Sequence, residues 1–146
     1  MNLYTIGFTK KTAQEFFELL KINKVELLLD VRLNNKSQLA GFTKGSDLKY
    51  FLAEICDCKY RHCLEYAPTK DILDGYKNKS ITWDKYVELY KALLIKRGDY
   101  QSFETKFSAF QNICLLCSEP TAEHCHRRLA AEIIAESNPQ VIIKHL

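Results

Sequence analysis

Apolar residues along this chain alternate between short continuous runs and longer runs with helical spacing. Leu3 to Ile6 is a short β-favouring run that stops at Gly7. Ala13, Phe16, Phe17 and Leu20 then recur at i, i+3, i+4 and i+7, which is one face of a helix. Thr12 and Glu15 stand just before that face in capping-box register, hydroxyl and carboxylate each satisfying an orphan backbone donor. Glu26 to Val31 is a nearly continuous apolar run, as expected for a strand covered on both faces. These pieces form a first βαβ unit.

The alternation continues. After a polar stretch with Gly41 and Gly45, Ser46 is expected to cap a helix carrying Leu48, Phe51, Leu52 and Ile55. Lys59 to Leu64 reads as a short strand. Thr82 is placed to cap a helix with Trp83, Val87, Tyr90 and Leu94 at helical spacing. Phe103 to Phe110 is amphipathic and leads into Ile113 to Cys117, a second buried-strand pattern. A loop with Pro120 precedes a helix expected from about Thr121 to Ser137, and Val141 to Leu146 closes the chain as a strand. Strands separated by helices imply a mostly parallel sheet with helices on both faces, a Rossmann-like α/β layering. No repeat, linker or low-complexity tract divides residues 1–146, so one domain is expected.

Composition agrees with a globular chain: 146 residues, 47% hydrophobic and 27% charged. No apolar run approaches the roughly 18 residues of a membrane helix, so no membrane partner is expected. The first residues lack a basic segment followed by an apolar one, which points to a cytoplasmic protein. The 6 cysteines are then expected to stay reduced. A formal net charge of +3 permits an anionic partner without requiring one.

In open parallel sheets ligands bind beyond the carboxyl ends of the strands. That rule selects Gly7-Phe8-Thr9, then Asp30 and Arg32, then Cys117, Glu119 and Cys125-His126-Arg127. Asp30 and Arg32, two residues apart on an extended segment, share one side. They form either a structural ion pair, or a proton-transfer carboxylate beside an anion-binding guanidinium. Cys117 near a helix N-terminus is either a small buried hydrophobe or a thiol with a lowered pKa, which a nucleophile requires. Arg127 is expected to pair with the Glu119 carboxylate, leaving the Cys117 thiol below its ordinary value. His126 follows helical spacing with Leu129, Ala130 and Ile133 and should face inward. Cys56-x-Cys58-x3-His62-Cys63 is dense in ligands, as is the Cys117, Cys125, His126 and His145 set. Neither has the knuckle spacing of a structural zinc site, so no metal or other cofactor is expected.

Tyr4-Thr5-Ile6-Gly7, Leu29-Asp30-Val31-Arg32 with Ser37, Tyr60-x-His62 and Leu116-Cys117-x-Glu119 with Cys125-His126-Arg127 occur in this order along the chain. Together they resemble the DUF488 family of bacterial and archaeal proteins. The resemblance implies an α/β fold, a cytoplasmic location and no established function. Three stretches depart from the common family pattern. Phe8-Thr9 stands for His-Ser, Gln38 for the Arg after Ser37, and Tyr66-Ala67-Pro68 for Leu-Gly-Gly.

Two classes of function compete. In the first, a small enzyme acts on an anionic small molecule, such as a nucleotide, or on a nucleic acid. Cys117 is then the nucleophile or redox thiol, with Glu119, Asp30 and His126 as catalytic partners. Arg32, Arg127, Ser37, Thr9, Tyr60 and His62 bind the substrate. In the second, the same cleft serves a non-catalytic binding or regulatory domain and the thiols are incidental. Rhodanese-like sulfur transfer ranks third. Asp30-Val31-Arg32 resembles a rhodanese strand, but Ala122 occupies the place of the loop arginine that follows a rhodanese cysteine.

Overall fold

The structure, a computed structural model, describes residues 1–37 and 40–146; Gln38 lies outside them. Five strands, β1 (Asn2–Gly7), β2 (Leu27–Asp30), β3 (Lys59–His62), β4 (Asn112–Cys117) and β5 (Ile142–His145), form one sheet. Its order is β3-β2-β4-β1-β5 and every pairing is parallel. The helices are α1 (Ala13–Ile22), α2 (Gly45–Cys56), α3 (Lys70–Lys77), α4 (Trp83–Arg97), α5 (Phe103–Lys106) and α6 (His126–Ser137). This is the α/β layering expected from the alternating pattern. No helix among the described residues is long and apolar enough to cross a membrane.

Strand side chains alternate between two apolar layers. Tyr4, Ile6, Leu28, Cys114 and Leu116 pack with Phe16, Phe17, Leu20, Leu48 and Leu52 of α1 and α2. Leu3, Leu27, Leu29, Ile113, Leu115 and Cys117 pack on the other face with Tyr86, Tyr90, Leu94, Leu129 and Ile133 of α4 and α6. The chain therefore leaves β1 toward one face and leaves its neighbour β4 toward the other. Such a divergence of adjacent strands opens a crevice at their carboxyl ends. Gly7 and Cys117, the last residues of these strands, are in register across that crevice.

Several boundaries differ from the sequence reading. The helix expected from Thr121 starts at His126, because Cys125 adopts an extended backbone (φ −141°, ψ 137°) and stands as its N-cap. Ser46 does not cap α2: Lys44 occupies that position, with no side-chain cap bond, and Ser46 lies inside the first turn. Only Phe103–Lys106 of the amphipathic 103–110 segment is α-helical. The periodicity reading missed α3; the helix is short, none of its residues is fully buried, and only Ile72 and Tyr76 pack partly against the core. The Thr12 capping box is present, with Glu15 N–H donating to Thr12 Oγ1 (3.1 Å) and Thr12 N–H to Glu15 Oε2 (2.8 Å).

Candidate active site

A cleft of about 1080 Å³ opens at the carboxyl edge of the sheet. Its floor holds Arg32, Cys117, Ser118, Glu119, Cys125 and His126. The ends of β2 and β4 and the start of α6 thus meet at one place, as the strand-end rule requires. Thr9 and Ser37 also line the cleft.

Asp30 and Arg32 form a closed buried unit. Arg32 Nε donates to Asp30 Oδ1 (2.8 Å) and Arg32 Nη2 to Asp30 Oδ2 (2.6 Å). The Arg32 backbone N–H adds a bond to Oδ1 (3.2 Å), and the Tyr60 hydroxyl donates to Oδ2 (2.7 Å). Asp30 is fully buried, accepts four bonds and does not line the cleft. Its carboxylate anchors Arg32. Arg32 Nη2 also donates to the Thr43 carbonyl (2.7 Å), while Nη1 is buried with no partner among the described residues. Burial alone would lower the Arg32 pKa, but the bonds and charge of Asp30 raise it above the ordinary value. The guanidinium lies 5.2 Å from the Phe8 ring centroid, so the residue standing for the family's histidine covers the arginine.

Tyr60 and His62, expected among the substrate-binding residues, support this unit and are not among the residues that line the cleft. The Tyr60 oxygen also accepts from Asn35 Nδ2 (2.9 Å), and His62 Nε2–H donates to the Arg32 carbonyl (2.7 Å). Arg127 does not line the cleft either. It is 1% exposed, and its Nη1 donates to the Glu119 main-chain carbonyl (2.7 Å). Sequence reasoning had paired it with the Glu119 carboxylate, which instead belongs to an exposed residue at the cleft. Gly7 makes this loop possible: a Cβ there would fall 1.6 Å from the Glu119 carbonyl oxygen and 3.1 Å from Arg127 Nη1. Thr9 N–H donates to the Ser118 carbonyl (3.1 Å), tying the β1 and β4 loops together.

Cys117 is 5% exposed. A hydrogen bond with the Cys125 side chain is the largest influence on its thiol and lowers its pKa. Burial opposes this, while Arg127 and the Ser118 and Glu119 amides lower it further, and the pKa lies below the ordinary thiol value. The same pair acts oppositely on Cys125, whose thiol burial and Cys117 push well up. The pair thus shifts the two thiols in opposite directions. Cys117 Sγ lies 3.7 Å from both His126 ring nitrogens. His126 Nε2–H donates to the Val31 carbonyl (2.8 Å), which leaves Nδ1 without a proton in the neutral ring.

The cleft walls contain residues that sequence reasoning assigned to the core or passed over. Trp83, Tyr76, Tyr86 and His124 form an aromatic wall, and Lys10, Lys11, Lys77 and Lys79 stand around it. Trp83 stacks on Tyr86 (centroids 5.1 Å, 14°) and lies 4.9 Å from the His124 ring. Trp83 is the first residue of α4, and only its position at a capped helix start could have separated it from the core stripe. Burial, and to a lesser degree Arg127, lowers the Lys11 pKa. The other ligand-rich stretch does not assemble: among the described residues, Cys56, Cys58, His62 and Cys63 form no metal-capable group. Burial pushes the Cys58 and Cys63 thiols up to about 12.

The sequence model of the family described as "Domain of unknown function DUF488" matches residues 12–134, and the chain belongs to that family. No curated protein and no solved structure matches the chain.

Proposed function

We propose that this DUF488 protein is an enzyme that binds a nucleotide-type anion, free or within a nucleic acid, in a cleft where the Cys117 sulfur is the nucleophilic group. One observation carries the reading. The single thiol lowered in pKa sits on the floor of a cleft whose walls combine aromatic rings with four lysines. Aromatic faces stack bases without regard to sequence, at roughly 1–3 kcal/mol per base, and lysines favour the phosphate. Arg32 Nη1, buried and unpaired among the described residues, adds a donor at the same floor.

The roles then divide by position. Cys117 is the nucleophile, its charge supported by two backbone amides and the Cys125 thiol. Glu119, exposed at the cleft, is the group placed to exchange protons with solvent. Asp30, Tyr60, His62 and Arg127 hold the floor in shape. A neutral ring in the cleft would lack the phosphate that the lysines favour, and a bare inorganic anion would leave the aromatic wall unused.

The test is the alkylation rate of Cys117 against pH in metal-free protein, with Cys117→Ser as the blank. The expected midpoint lies below the ordinary thiol value of about 8.5. A nucleoside monophosphate should slow alkylation, and inorganic phosphate at equal concentration should not. A midpoint at or above about 8.5 removes the nucleophile. Protection without a lowered midpoint would leave a binding domain.

A further inference from the structure

We propose that Cys117 and Cys125 form a reversible disulfide when a hydroperoxide enters the cleft, Cys117 being the sulfur first oxidised and Cys125 the one that resolves it. Their sulfurs lie within 4.8 Å of each other, joined by a hydrogen bond, and both residues line the cleft. Cys117 Sγ is 3.7 Å from both His126 ring nitrogens, off the line of either lone pair, so imidazole and sulfur do not face one ion. The partner that the Cys117 sulfur does face is a second sulfur.

The backbone lets the pair close. Cys117 is the last residue of β4, and Cys125 stands on an extended backbone just before α6. The stretch 118–124 between them is neither helix nor strand, so the sulfurs can approach without unwinding either element. The rest of the chain makes the pair selective. Peroxides react with the thiolate and not with the thiol. Burial pushes the Cys56 thiol up to about 11, those of Cys58 and Cys63 to about 12, and that of Cys114 well above its ordinary value. Of the six cysteines, Cys117 is the one shifted down. A low-pKa thiol beside a second cysteine is the arrangement that turns oxidation into a disulfide instead of an irreversible acid.

The chemistry runs in two steps. The Cys117 thiolate attacks the outer oxygen of the hydroperoxide. A sulfur–oxygen bond forms, the oxygen–oxygen bond breaks, and the departing alkoxide or hydroxide takes a proton from water. The Cys125 sulfur then attacks the sulfenic sulfur of Cys117. A sulfur–sulfur bond forms, the sulfur–oxygen bond breaks, and the Cys125 proton departs with that oxygen as water. The two thiols lose two electrons and the peroxide gains them. The inference goes beyond the proposed function and needs only the two sulfurs: the disulfide withholds Cys117 from the chemistry of the cleft until an external thiol reduces it.

The experiment treats fully reduced protein with hydrogen peroxide, blocks the remaining thiols under denaturing conditions and reads the mass. The native chain should lose two hydrogen atoms, and cleavage after Glu123 should leave the Cys117 and Cys125 peptides joined. Dithiothreitol should restore both thiols. Cys125→Ser should gain oxygen instead, first as a sulfenic acid that dimedone traps and, in excess peroxide, as sulfinic and sulfonic acids. Cys117→Ser should neither cross-link nor gain oxygen at Cys125. A native chain that takes up no oxidant, that accumulates sulfenic acid without the disulfide, or that oxidises another cysteine first overturns the pair. These readouts come from the native chain alone, so the test stands if a variant does not fold. Disulfide formation without nucleotide protection of the reduced protein would spare this pair and refute the proposed function. Nucleotide protection without a disulfide would do the reverse.

Discussion

A methyl group at position 7 would collide with the Glu119 carbonyl, and the surrounding atoms leave it nowhere to go. That oxygen is backbone, held by buried Arg127 on one side and by the end of β4 on the other. Gly7→Ala should therefore cost roughly 1–3 kcal/mol, the range for overpacking a filled site. Urea denaturation of the variant against the native chain measures it, and a change under about 0.5 kcal/mol would mean that the loop moves aside freely. The glycine itself was visible in the sequence as the end of a strand. Its reason was not, because the atom it accommodates lies 112 positions later and belongs to a carbonyl that no side-chain pattern reports. Asp30 teaches the same lesson from the other direction. Asp30-Val31-Arg32 was legible as a pair of charges sharing a side, but the Tyr60 hydroxyl that fills its remaining acceptor position comes from another strand.

At the scale of elements, periodicity found what burial controls. The three inner strands and the helices with apolar stripes were readable because each carries a run or repeat of apolar residues into the core. Helix α3 and the start of α6 were not: α3 is only partly buried, and α6 begins where the Cys125 backbone is extended. Helix α4 joins the two requirements. Its N-cap Thr82 accepts the Lys85 N–H (3.2 Å), and its first residue is Trp83, the single tryptophan of the chain. Thr82→Ala should lower stability by about 1 kcal/mol through the lost cap. It should also change Trp83 fluorescence, because the first turn that positions the ring against Tyr86 and His124 would fray. A melting curve followed at the tryptophan and by far-UV circular dichroism separates local fraying from global loss. Unchanged midpoints by both probes would show that α4 does not depend on its cap.

On the scale of the molecule, one carboxylate links parts of the chain that the sheet does not. Glu65 Oε1 accepts from Lys106 Nζ and from Arg61 Nη2, both at 2.8 Å, joining the segment after β3 to α5. Burial alone would raise its pKa; the Lys106 bond and the other donors outweigh this and bring it to about 2. The folded value is below the unfolded one, so the stabilising contribution is present above about 4.5 and is lost as pH falls toward 2. The melting temperature of the native chain should fall through that window, and that of Glu65→Gln should fall less steeply. Parallel curves would exclude Glu65 as the source. Salt should weaken the same contribution, since Arg61 is half exposed.

The sheet order carries a consequence for how the chain is made. The first strand, β1, pairs only with β4 and β5, and Asn2 meets Asn112 in register. A ribosome adding about 5–20 residues per second needs between about 5 and 20 s to supply that partner. For that interval the apolar run from Leu3 to Ile6 has no strand to join, while β2 and β3 are already available to each other. The sheet therefore grows from its β3–β2 edge toward β5, and the Leu3–Ile6 run is the part that a holding chaperone would find exposed for longest.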